Sequence, residues 1–339
     1  MRINKFAGTS REVGEQLGKF YEQQNRSLRD VQVNEATLNR QLAVYKKHYP
    51  ELLEEIGGVA VGGNFDLEKL LYVSIAQDVD QRMSRVKATE SCTIFGVKKG
   101  DKLLVGRNYD WLPQARDCFH IYEMDIAKRY KYIGITDMTI FDPHHTSHKH
   151  WSFSAEDAIN DQGLYIGLTY AFNQRWSYGL ASTHIIRLVA ETCGTVAQAL
   201  KVFRKTPLLT PKNFFIADKY GNMAAIEHTS KTFRVVRPDK DGILIQTNHY
   251  TAPDLLKEDS VFKQHPAHTT YLRYYETLRE IKRHPDFKFA NIRPILRNTH
   301  YVYADSNDHQ TIWSLAMDMT SGKREIIWDD ASGEKERAF

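Results

Sequence analysis

The stretch TESCTIFGVKKGDKLLVGRNYDW, residues 89–111, marks the point at which the hydrophobic period of the chain changes. Before it, apolar residues recur at helical spacing, and from Cys92 onward they follow the alternation of β-strands. CTIFGV and KLLVGRNY flank the polar sequence KKGD, which predicts two antiparallel strands joined by a tight turn. If the turn is centred on its glycine, Cys92 lies opposite Asn108. Arg107 and Asp110 then lie close to the same cysteine.

The rest of the chain divides into helical and strand-like segments. Residues 1–91 read as helices: Pro50 separates two of them, Asp66 caps a third, and the glycines at 57–63 predict a loop. After this segment the order is strands, two helices, strands, one helix and strands. Most strand connections have the length of hairpins. This order predicts an α+β fold, with antiparallel sheets and the helices segregated outside them.

Composition limits the classes of protein to which the chain can belong. Its 339 residues suffice for one large domain or two ordinary ones, and 42% hydrophobic and 26% charged residues are typical of globular proteins. The net charge of +4 is not clustered, so no nucleic-acid partner is expected. No apolar run is long enough for a membrane span. The N-terminal sequence lacks an apolar signal core, so we expect a cytoplasmic protein that acts without a membrane. A homo-oligomer stays open.

The three cysteines do not form a recognisable disulfide or zinc pattern. Cys92, Cys118 and Cys193 are odd in number and widely spaced, and there is no CxxC pair. Cys193 follows the apolar pattern of HIIRLVAETC and is interpreted as buried and structural, as is Cys118. The histidine-rich HHTSHKH at 144–150 lacks the spacing of a helical metal site and is interpreted as a solvated loop. We expect neither a metal nor a cofactor.

Residues near Cys92 provide the elements of nucleophilic catalysis. A thiol becomes a good nucleophile when a base takes its proton or a cation stabilises its thiolate. Arg107 would supply the cation, but the stretch contains no histidine base. Cutting the chain just before Cys92 would create an α-amino group with a pKa near ~8, which is a suitable base. Asp110 would then hold that amine.

The stretch resembles the start of the mature chain in N-terminal-nucleophile amide hydrolases. The similar group contains choloylglycine hydrolases, penicillin V acylases, acid-ceramidase-like amidases and the acyl-CoA:isopenicillin-N acyltransferase family. In that group a Cys-Thr opening precedes a GRN-x-D turn, as Cys92-Thr93 precedes GRNYD at 106–110 here. NDQGLYIGLTY at 160–170, NFFIADKYGNMAAIE at 213–227 and TNHY at 247–250 follow in the family order. GTSREVGEQLGKFY also resembles the acyltransferase branch, so the similarity covers nearly the whole chain.

The resemblance implies a fold, a domain division and a reaction. The fold is a four-layer αββα sandwich with Cys92 at the end of a central strand. Residues 1–91 would be a helical pro-segment or small subunit, and residues 92–339 the αββα catalytic core. The chain would cleave itself between Ser91 and Cys92. Cys92 would then cleave a linear amide, or transfer its acyl group, through an acyl-thioester.

The resemblance also assigns site residues by matching positions. They are Cys92, Arg107, Asp110, Thr169, Asn248 and Arg273. The side-chain amide of Asn248 would donate to the tetrahedral oxyanion. Thr169 stands where bile-salt hydrolases have an asparagine, and its hydroxyl can donate one hydrogen bond. Arg273 matches the late arginine of the family, with Arg279 nearby. The implied substrate is a small-molecule amide, and the 18 tyrosines and 16 phenylalanines agree with an apolar acyl group.

Two other functions stay open. In the first, the chain is a non-catalytic member of the same fold that never cleaves and binds a small molecule, with Cys92 unreactive. In the second, Cys92, His249 and Asn248 form a papain-like triad. That class needs no cleavage of the chain before the nucleophile, but it places its cysteine on a helix, whereas the sequence here predicts a strand.

Overall fold

Two β-sheets and their flanking helices make up the structure. The computed structural model describes residues 3–23, 28–81, 91–111, 113, 115, 119–137, 154–173, 176–229, 231–264, 268–301, 310–330 and 333–339. The strands within these ranges are β1 (Asn4–Gly8), β2 (Thr93–Lys99), β3 (Lys102–Trp111), β4 (His120–Ile126), β5 (Tyr132–Thr136), β6 (Asp157–Asn160), β7 (Leu164–Tyr170), β8 (Lys212–Asp218), β9 (Met223–His228), β10 (Phe233–Val236), β11 (Ile243–Gln246), β12 (Gln310–Asp318), β13 (Arg324–Asp330) and β14 (Gly333–Ala338).

The helices flank these strands in sequence and in space. The α-helices are α1 (Ser10–Glu22), α2 (Glu35–His48), α3 (Pro50–Gly62), α4 (Leu67–Leu71), α5 (Gln77–Gln81), α6 (Ser182–Thr192), α7 (Val196–Lys205), α8 (Val261–Gln264), α9 (Thr270–Lys282) and α10 (Ile292–Tyr301). A π-helical turn, Tyr72–Ala76, joins α4 to α5, and short 3₁₀ turns occur at Leu256–Glu258 and Phe289–Asn291. No helix in the described ranges is both long and apolar enough to cross a membrane.

The strands form one sheet of eight and one of six. The order in the first sheet is β1-β4-β5-β6-β7-β8-β9-β10, and in the second it is β11-β2-β3-β12-β13-β14. Among the described ladders, β1 pairs in parallel with β4 and the other pairs are antiparallel. The second sheet therefore holds β2 and β3 at its centre, between β11 and β12.

Three hydrophobic layers hold the sheets and helices together. The layer between the sheets includes Cys92, Tyr109 and Trp313. On the outer face of the first sheet, a second layer is shared with α1–α3, α6 and α7. Under α9 and α10, a third layer covers the outer face of the second sheet and includes Phe95 and Ile292. The order of helices, sheet, sheet and helices is the predicted αββα sandwich.

The N-terminal segment differs from the sequence prediction in two places. Its first described residues form β1, a strand at the edge of the eight-stranded sheet, so the segment is not wholly helical. The glycines at 57–63, predicted to form a loop, instead lie in and at the end of α3. Gly58 and Gly62 are needed there because α1 and α3 pack backbone to backbone. A Cβ at Gly14 would overlap the carbonyl oxygen of Glu55, and one at Gly58 would overlap that of Arg11.

The β2–β3 hairpin has the predicted turn, but its register is shifted by one residue. Lys99 pairs with Lys102, so the loop consists of two residues, of which Gly100 has a positive φ of 57°. Thr93, not Cys92, therefore lies opposite Asn108. The prediction that Cys92 faces Asn108 is wrong, because the turn is centred between two residues instead of on the glycine. Cys118 and the histidine-rich sequence at 144–150 lie outside the described residues.

Candidate active site

Cys92 is the residue directly before β2 of the six-stranded sheet. The residue is fully buried, and it shares the inter-sheet layer with Ile94 and Tyr109. Its backbone N–H donates to Oδ1 of Asn248 at 2.9 Å. Its backbone carbonyl accepts a hydrogen bond from Nη1 of Arg273. Both peptide groups of Cys92 are thus held by side chains from distant parts of the chain.

A buried cation lies beside the Cys92 thiol. Arg107 on β3 reaches the thiol with its guanidinium, and its Nε donates a bifurcated hydrogen bond to the two carboxylate oxygens of Asp157 at 3.2 Å and 3.0 Å. Burial lowers the pKa of Arg107, but the charges of Asp157 and of a Cys92 thiolate outweigh it and hold the pKa well above its usual value. The guanidinium therefore stays charged and can stabilise a thiolate.

Asp157 is the centre of the network that positions Arg107. Besides the guanidinium, it accepts from the hydroxyl of Tyr165 at 2.6 Å and from Nε1 of Trp313 at 2.9 Å. The Trp313 ring stacks on Tyr109 with 3.9 Å between the ring centroids. A fully buried arginine requires such a carboxylate. The sequence alone did not show which acidic residue of the opposite sheet would pair with Arg107.

Asn248 and Arg273 form a second group of site residues on the other side of Cys92. Nη2 of Arg273 donates to Oδ1 of Asn248 at 2.7 Å, and its Nη1 donates to the Thr93 hydroxyl at 2.9 Å. Nδ2 of Asn248 donates to the carbonyl of Tyr170 at 3.2 Å. Arg273 is fully buried on α9, so the structure brings the late arginine of the prediction into the site. Arg279 is exposed and pairs with glutamates of its own helix.

Thr169 and Asp110 form hydrogen bonds with segments next to the site. The Thr169 hydroxyl donates to the carbonyl of Thr247 at 2.5 Å, so it fixes the segment that carries Asn248. The Asp110 carboxylate accepts from the Thr311 hydroxyl at 2.5 Å, while its main-chain carbonyl accepts from the Ser91 N–H at 3.1 Å. In the uncleaved chain the acceptor of the Cys92 N–H is Asn248.

Two histidines near the site have different surroundings. Nδ1 of His249 lies 3.0 Å from the Thr247 hydroxyl and 2.9 Å from that of Thr270, and burial together with Arg273 lowers the pKa of His249 to about 3. This ring nitrogen contacts two hydroxyls instead of a thiol, and Cys92 precedes a strand instead of lying on a helix. His249 and Cys92 therefore do not have the geometry of a papain-like pair. His268 was not predicted; its Nε2 lies 3.4 Å from the Ser91 hydroxyl.

The arrangement supplies a thiol, a cation beside it, and side chains that hold both peptide groups of the same residue. Among the six predicted residues, Cys92 forms hydrogen bonds with Arg107, Asn248 and Arg273, and the last two are hydrogen-bonded to each other. Among the residues that the structure describes, no group of three or more His, Cys, Asp or Glu side chains is arranged to hold a metal ion. Glu227 accepts from Thr251 and Ala252 and has a structural role.

The fold is shared with solved amide-cleaving enzymes. A variant of the conjugated bile acid hydrolase from Clostridium perfringens has a TM-score of 0.52 and 12% identity, over 73% of this chain and 92% of that chain. The Caenorhabditis elegans ortholog of N-acylethanolamine-hydrolyzing acid amidase has a TM-score of 0.50 and 15% identity, over 68% of this chain and 93% of that chain. A search among curated proteins gives no match. These structures confirm the predicted N-terminal-nucleophile hydrolase fold.

The sequence itself matches one family over most of its length. The model of the acyl-coenzyme A:6-aminopenicillanic acid acyl-transferase family matches residues 97–332. The match starts five residues after Cys92 and includes Arg107, Asn248 and Arg273. The class predicted from the sequence motifs, an amidohydrolase or acyltransferase of the N-terminal-nucleophile type, is thereby confirmed. The chain belongs to the acyl-coenzyme A:6-aminopenicillanic acid acyl-transferase family.

Proposed function

We propose that the protein cleaves itself between Ser91 and Cys92, and that Cys92 then cleaves or transfers the acyl group of a linear amide through a thioester. One observation carries the proposal. The Cys92 N–H is bound by Asn248 at 2.9 Å while the Arg107 guanidinium reaches the thiol of the same residue. The nitrogen that would become the free amine and the sulfur that would become the nucleophile thus each have a dedicated partner.

Self-cleavage would proceed through an N-to-S acyl shift. The Cys92 sulfur, as the thiolate beside Arg107, attacks the carbonyl carbon of Ser91. The bond between that carbon and the Cys92 nitrogen breaks, and the nitrogen takes up a proton. Water then hydrolyses the resulting thioester, leaving a carboxylate on Ser91 and a free thiol and amine on Cys92. Arg273, which holds the Cys92 carbonyl, would keep the residue in place while its nitrogen is released.

Amide cleavage would use the same atoms. The free amine of Cys92 accepts the thiol proton, and the thiolate attacks the substrate carbonyl. The amine then returns the proton to the departing nitrogen of the substrate. Asn248 Oδ1 would hold the amine, which is the role first expected of Asp110. Transfer of the acyl group from the thioester to water or to an amine completes the reaction.

Asn248 would also stabilise the oxyanion. Its Nδ2 has two hydrogens, and the Tyr170 carbonyl accepts one of them at 3.2 Å. The second would donate to the negatively charged oxygen of the tetrahedral intermediate. A donor of this kind typically accelerates the reaction about 100- to 1000-fold. Thr169 would contribute indirectly, because its hydroxyl holds Thr247 next to Asn248.

We propose a small-molecule amide with an apolar acyl group as the substrate. The rings of Tyr170 and Phe172 lie with 5.0 Å between their centroids, and Phe172 is 4.8 Å from the His268 ring next to Ser91. These rings provide an apolar surface next to Ser91, where the acyl group of a substrate would lie. The similar solved structures are a conjugated bile acid hydrolase and an N-acylethanolamine-hydrolyzing acid amidase, and these names agree with an amide substrate that has an apolar part.

Intact-mass analysis of the purified protein tests the proposal directly. We expect a fragment that starts at Cys92, and a mass increase by one acyl group on that fragment when an amide substrate is added and the reaction is quenched with acid. Cys92→Ala should abolish both cleavage and turnover. Cys193→Ala is the matched control, because Cys193 is also a buried free cysteine but lies at the end of α6, in the outer layer.

The non-catalytic alternative gives opposite results in the same measurements. The chain would stay intact, and iodoacetamide would leave Cys92 unmodified in the native protein. Turnover that persists in Cys92→Ala would contradict the proposed mechanism, whatever the state of the chain. A cleaved chain with no acyl group on Cys92 for any amide tested would support self-cleavage but not the proposed reaction.

A further inference from the structure

The contacts of Ser91 describe the site that the acyl group of a substrate would occupy. This inference rests on the proposed function. In self-cleavage the group attached to the Cys92 sulfur is Ser91, and in turnover it is the acyl group of the substrate. Both are thioesters of the same sulfur. The shift moves the Ser91 carbonyl carbon between two atoms of one residue, so the surroundings of Ser91 approximate those of a bound acyl group.

One partner of Ser91 accepts a hydrogen bond. The N–H of Ser91 donates to the main-chain carbonyl of Asp110 at 3.1 Å. Asp110 is the penultimate residue of β3 and is buried, so this carbonyl has a fixed direction. In a substrate, the equivalent atom is a substituent on the carbon next to the carbonyl. A nitrogen that carries a hydrogen satisfies the carbonyl, whereas a methylene group leaves it without a donor.

A second partner of Ser91 donates a hydrogen bond. Nδ1 of His268 accepts from the backbone N–H of Thr270 at 3.1 Å, so the ring carries its proton on Nε2. That Nε2–H points at the Ser91 hydroxyl oxygen at 3.4 Å. The edge of Phe172 packs against the ring with 4.8 Å between centroids and restricts its rotation. His268 is thus oriented from two sides to donate to an oxygen on the β-carbon of an acyl group.

We infer that the acyl site selects peptide-like acyl groups: an α-nitrogen that carries a hydrogen, and a hydrogen-bond acceptor on the β-carbon. Asp110 recognises the first through its main-chain carbonyl, and His268 recognises the second. The apolar part of the substrate is then attached to the α-nitrogen, farther from the thioester. His268 is a specificity-determining residue, and Ser91 acts as the first occupant of the site. Hydrolysis separates Ser91 from Cys92, which allows a substrate to replace it.

Four amides of 4-nitroaniline test this inference on the full, self-cleaved protein. Their acyl groups are N-acetylseryl, N-acetylalanyl, 2-methyl-4-oxopentanoyl, which replaces the N–H of the alanyl compound by CH₂, and decanoyl. Release of 4-nitroaniline gives kcat/KM for each. We expect the seryl compound to exceed the alanyl compound, and the alanyl compound to exceed its CH₂ analogue, by about 3- to 10-fold at each step, as for the loss of one hydrogen bond.

Two variants of His268 identify the donor. His268→Ala should reduce the ratio of seryl to alanyl kcat/KM to about one, and should leave the ratio of the alanyl compound to its CH₂ analogue unchanged. His268→Gln, whose amide nitrogen reaches a position close to that of Nε2, should restore the first ratio. Should His268→Ala fail to fold, the wild-type ratios and the Gln variant still decide the matter.

Several results would overturn the inference. They are equal kcat/KM for the seryl and alanyl compounds, a seryl-to-alanyl ratio that His268→Ala leaves unchanged, and a decanoyl compound that is the best of the four. Acylation of Cys92 by none of the α-amino compounds would do so as well. If any of the four acyl groups is still trapped on Cys92, such results leave the proposed reaction intact. Turnover that survives Cys92→Ala would instead refute the proposed reaction itself.

Discussion

Arg107 and Asp157 form a wholly buried ion pair that joins the two sheets of the sandwich. Arg107 lies on β3 of the six-stranded sheet, and Asp157 lies on β6 of the eight-stranded sheet. Both side chains are completely inaccessible to solvent. The cation that we propose for the Cys92 thiolate is therefore held by the opposite sheet, and the relative position of the sheets determines where that cation lies.

Asp157→Asn is expected to destabilise the fold. Removal of the carboxylate leaves a buried arginine without its counter-charge, which typically costs about 3–5 kcal/mol of unfolding free energy. Urea unfolding of the Cys92→Ala background, which does not cleave, measures this cost. As a control, Glu123→Gln removes a partner of the exposed Lys5 and should change the stability by less than about 1 kcal/mol. Equal effects of the two substitutions would contradict the argument.

Two substitutions of Asn248 separate its two proposed roles. Asn248→Asp keeps an oxygen for the Cys92 N–H and for Arg273, but it loses the Nδ2 donor. It should therefore still cleave itself, while turnover of an amide falls by about 100- to 1000-fold. Asn248→Ala removes both groups and should impair cleavage as well. Cleavage is followed by denaturing electrophoresis and turnover by amine release. Full turnover in Asn248→Asp would exclude this amide as the oxyanion donor.

Buried histidines predict that stability falls as the pH drops below neutrality. Burial lowers the pKa of His120 and His228 to about 4, and that of His184 and His249 to about 3, with Arg187 and Arg273 adding to the effect for the last two. These rings stay neutral in the folded protein, but they take up protons near pH 6.5 once it unfolds. The unfolded state thus binds more protons between about pH 6.5 and 4, so stability is lost over that window as the pH falls.

His184→Gln tests this pH dependence at one site. Each such histidine contributes up to about 2 kcal/mol to the loss of unfolding free energy between pH 7 and pH 5. The variant should therefore lose less stability than the parent over this interval, by about that amount, in urea unfolding at the two pH values. The raised pKa of Glu227 acts in the opposite direction, because burial makes this carboxyl take up its proton at a higher pH in the folded protein than in the unfolded chain. An unchanged difference between the two pH values would refute the assignment.

The N-terminal segment should stay bound after cleavage. β1 pairs with β4 over five residues, Arg187 donates to both oxygens of Glu55 at 2.8 Å and 2.6 Å, and Gln41 exchanges hydrogen bonds with the backbone of Gly179. These contacts join residues 1–91 to the core at three separate places. Native mass spectrometry should show one complex of the two fragments, and denaturing conditions should separate them. A native core without the small fragment would contradict this prediction.

Arg187→Met tests how much one ion pair contributes to the binding of the N-terminal segment. It removes the cation between Glu55 of the N-terminal segment and Glu191 of the core and leaves two buried carboxylates near each other. We expect the two fragments of this variant to separate at a lower urea concentration than those of the parent. Arg234→Met, which breaks an exposed ion pair with Asp254, is the matched control and should have little effect. A midpoint that shifts equally in both variants would argue against a specific role of Arg187.

The sequence predicted the fold class and most of the residues that meet in the site. Hydrophobic period and hairpin-length connections were sufficient for two antiparallel sheets, and the ordered motifs identified Cys92, Arg107, Asn248 and Arg273. The register of the first hairpin was one residue off because a turn of two residues and a turn centred on Gly100 leave the same apolar pattern. β1 was missed because five residues that pair at the edge of a sheet carry no helical or strand period of their own.

Partners that depend on contacts between distant segments could not be predicted. Asp157 lies 50 residues from Arg107, and the Ser91 hydroxyl meets His268 across 177 residues. In each case the chemistry of one residue indicates what kind of partner is needed, and only the packing of the sheets determines which one meets it. The contact of the Cys92 N–H with Asn248 has the same origin. Asp110 and Asn248 both lie near Cys92, and which of them faces its N–H depends on strand direction at the ends of β3 and β11.

The close packing of α1 against α3 determines more than the shape of the N-terminal layer. Glu55, whose carbonyl lies against Gly14, is also the residue that binds Arg187 of the core. The separation of two helix axes, set by the absence of a side chain, thus determines how far a carboxylate reaches toward the sheet. A methyl group added at Gly14 on α1 would displace Glu55 on α3. The ion pair between Glu55 and Arg187 would then weaken, although no charge would have changed.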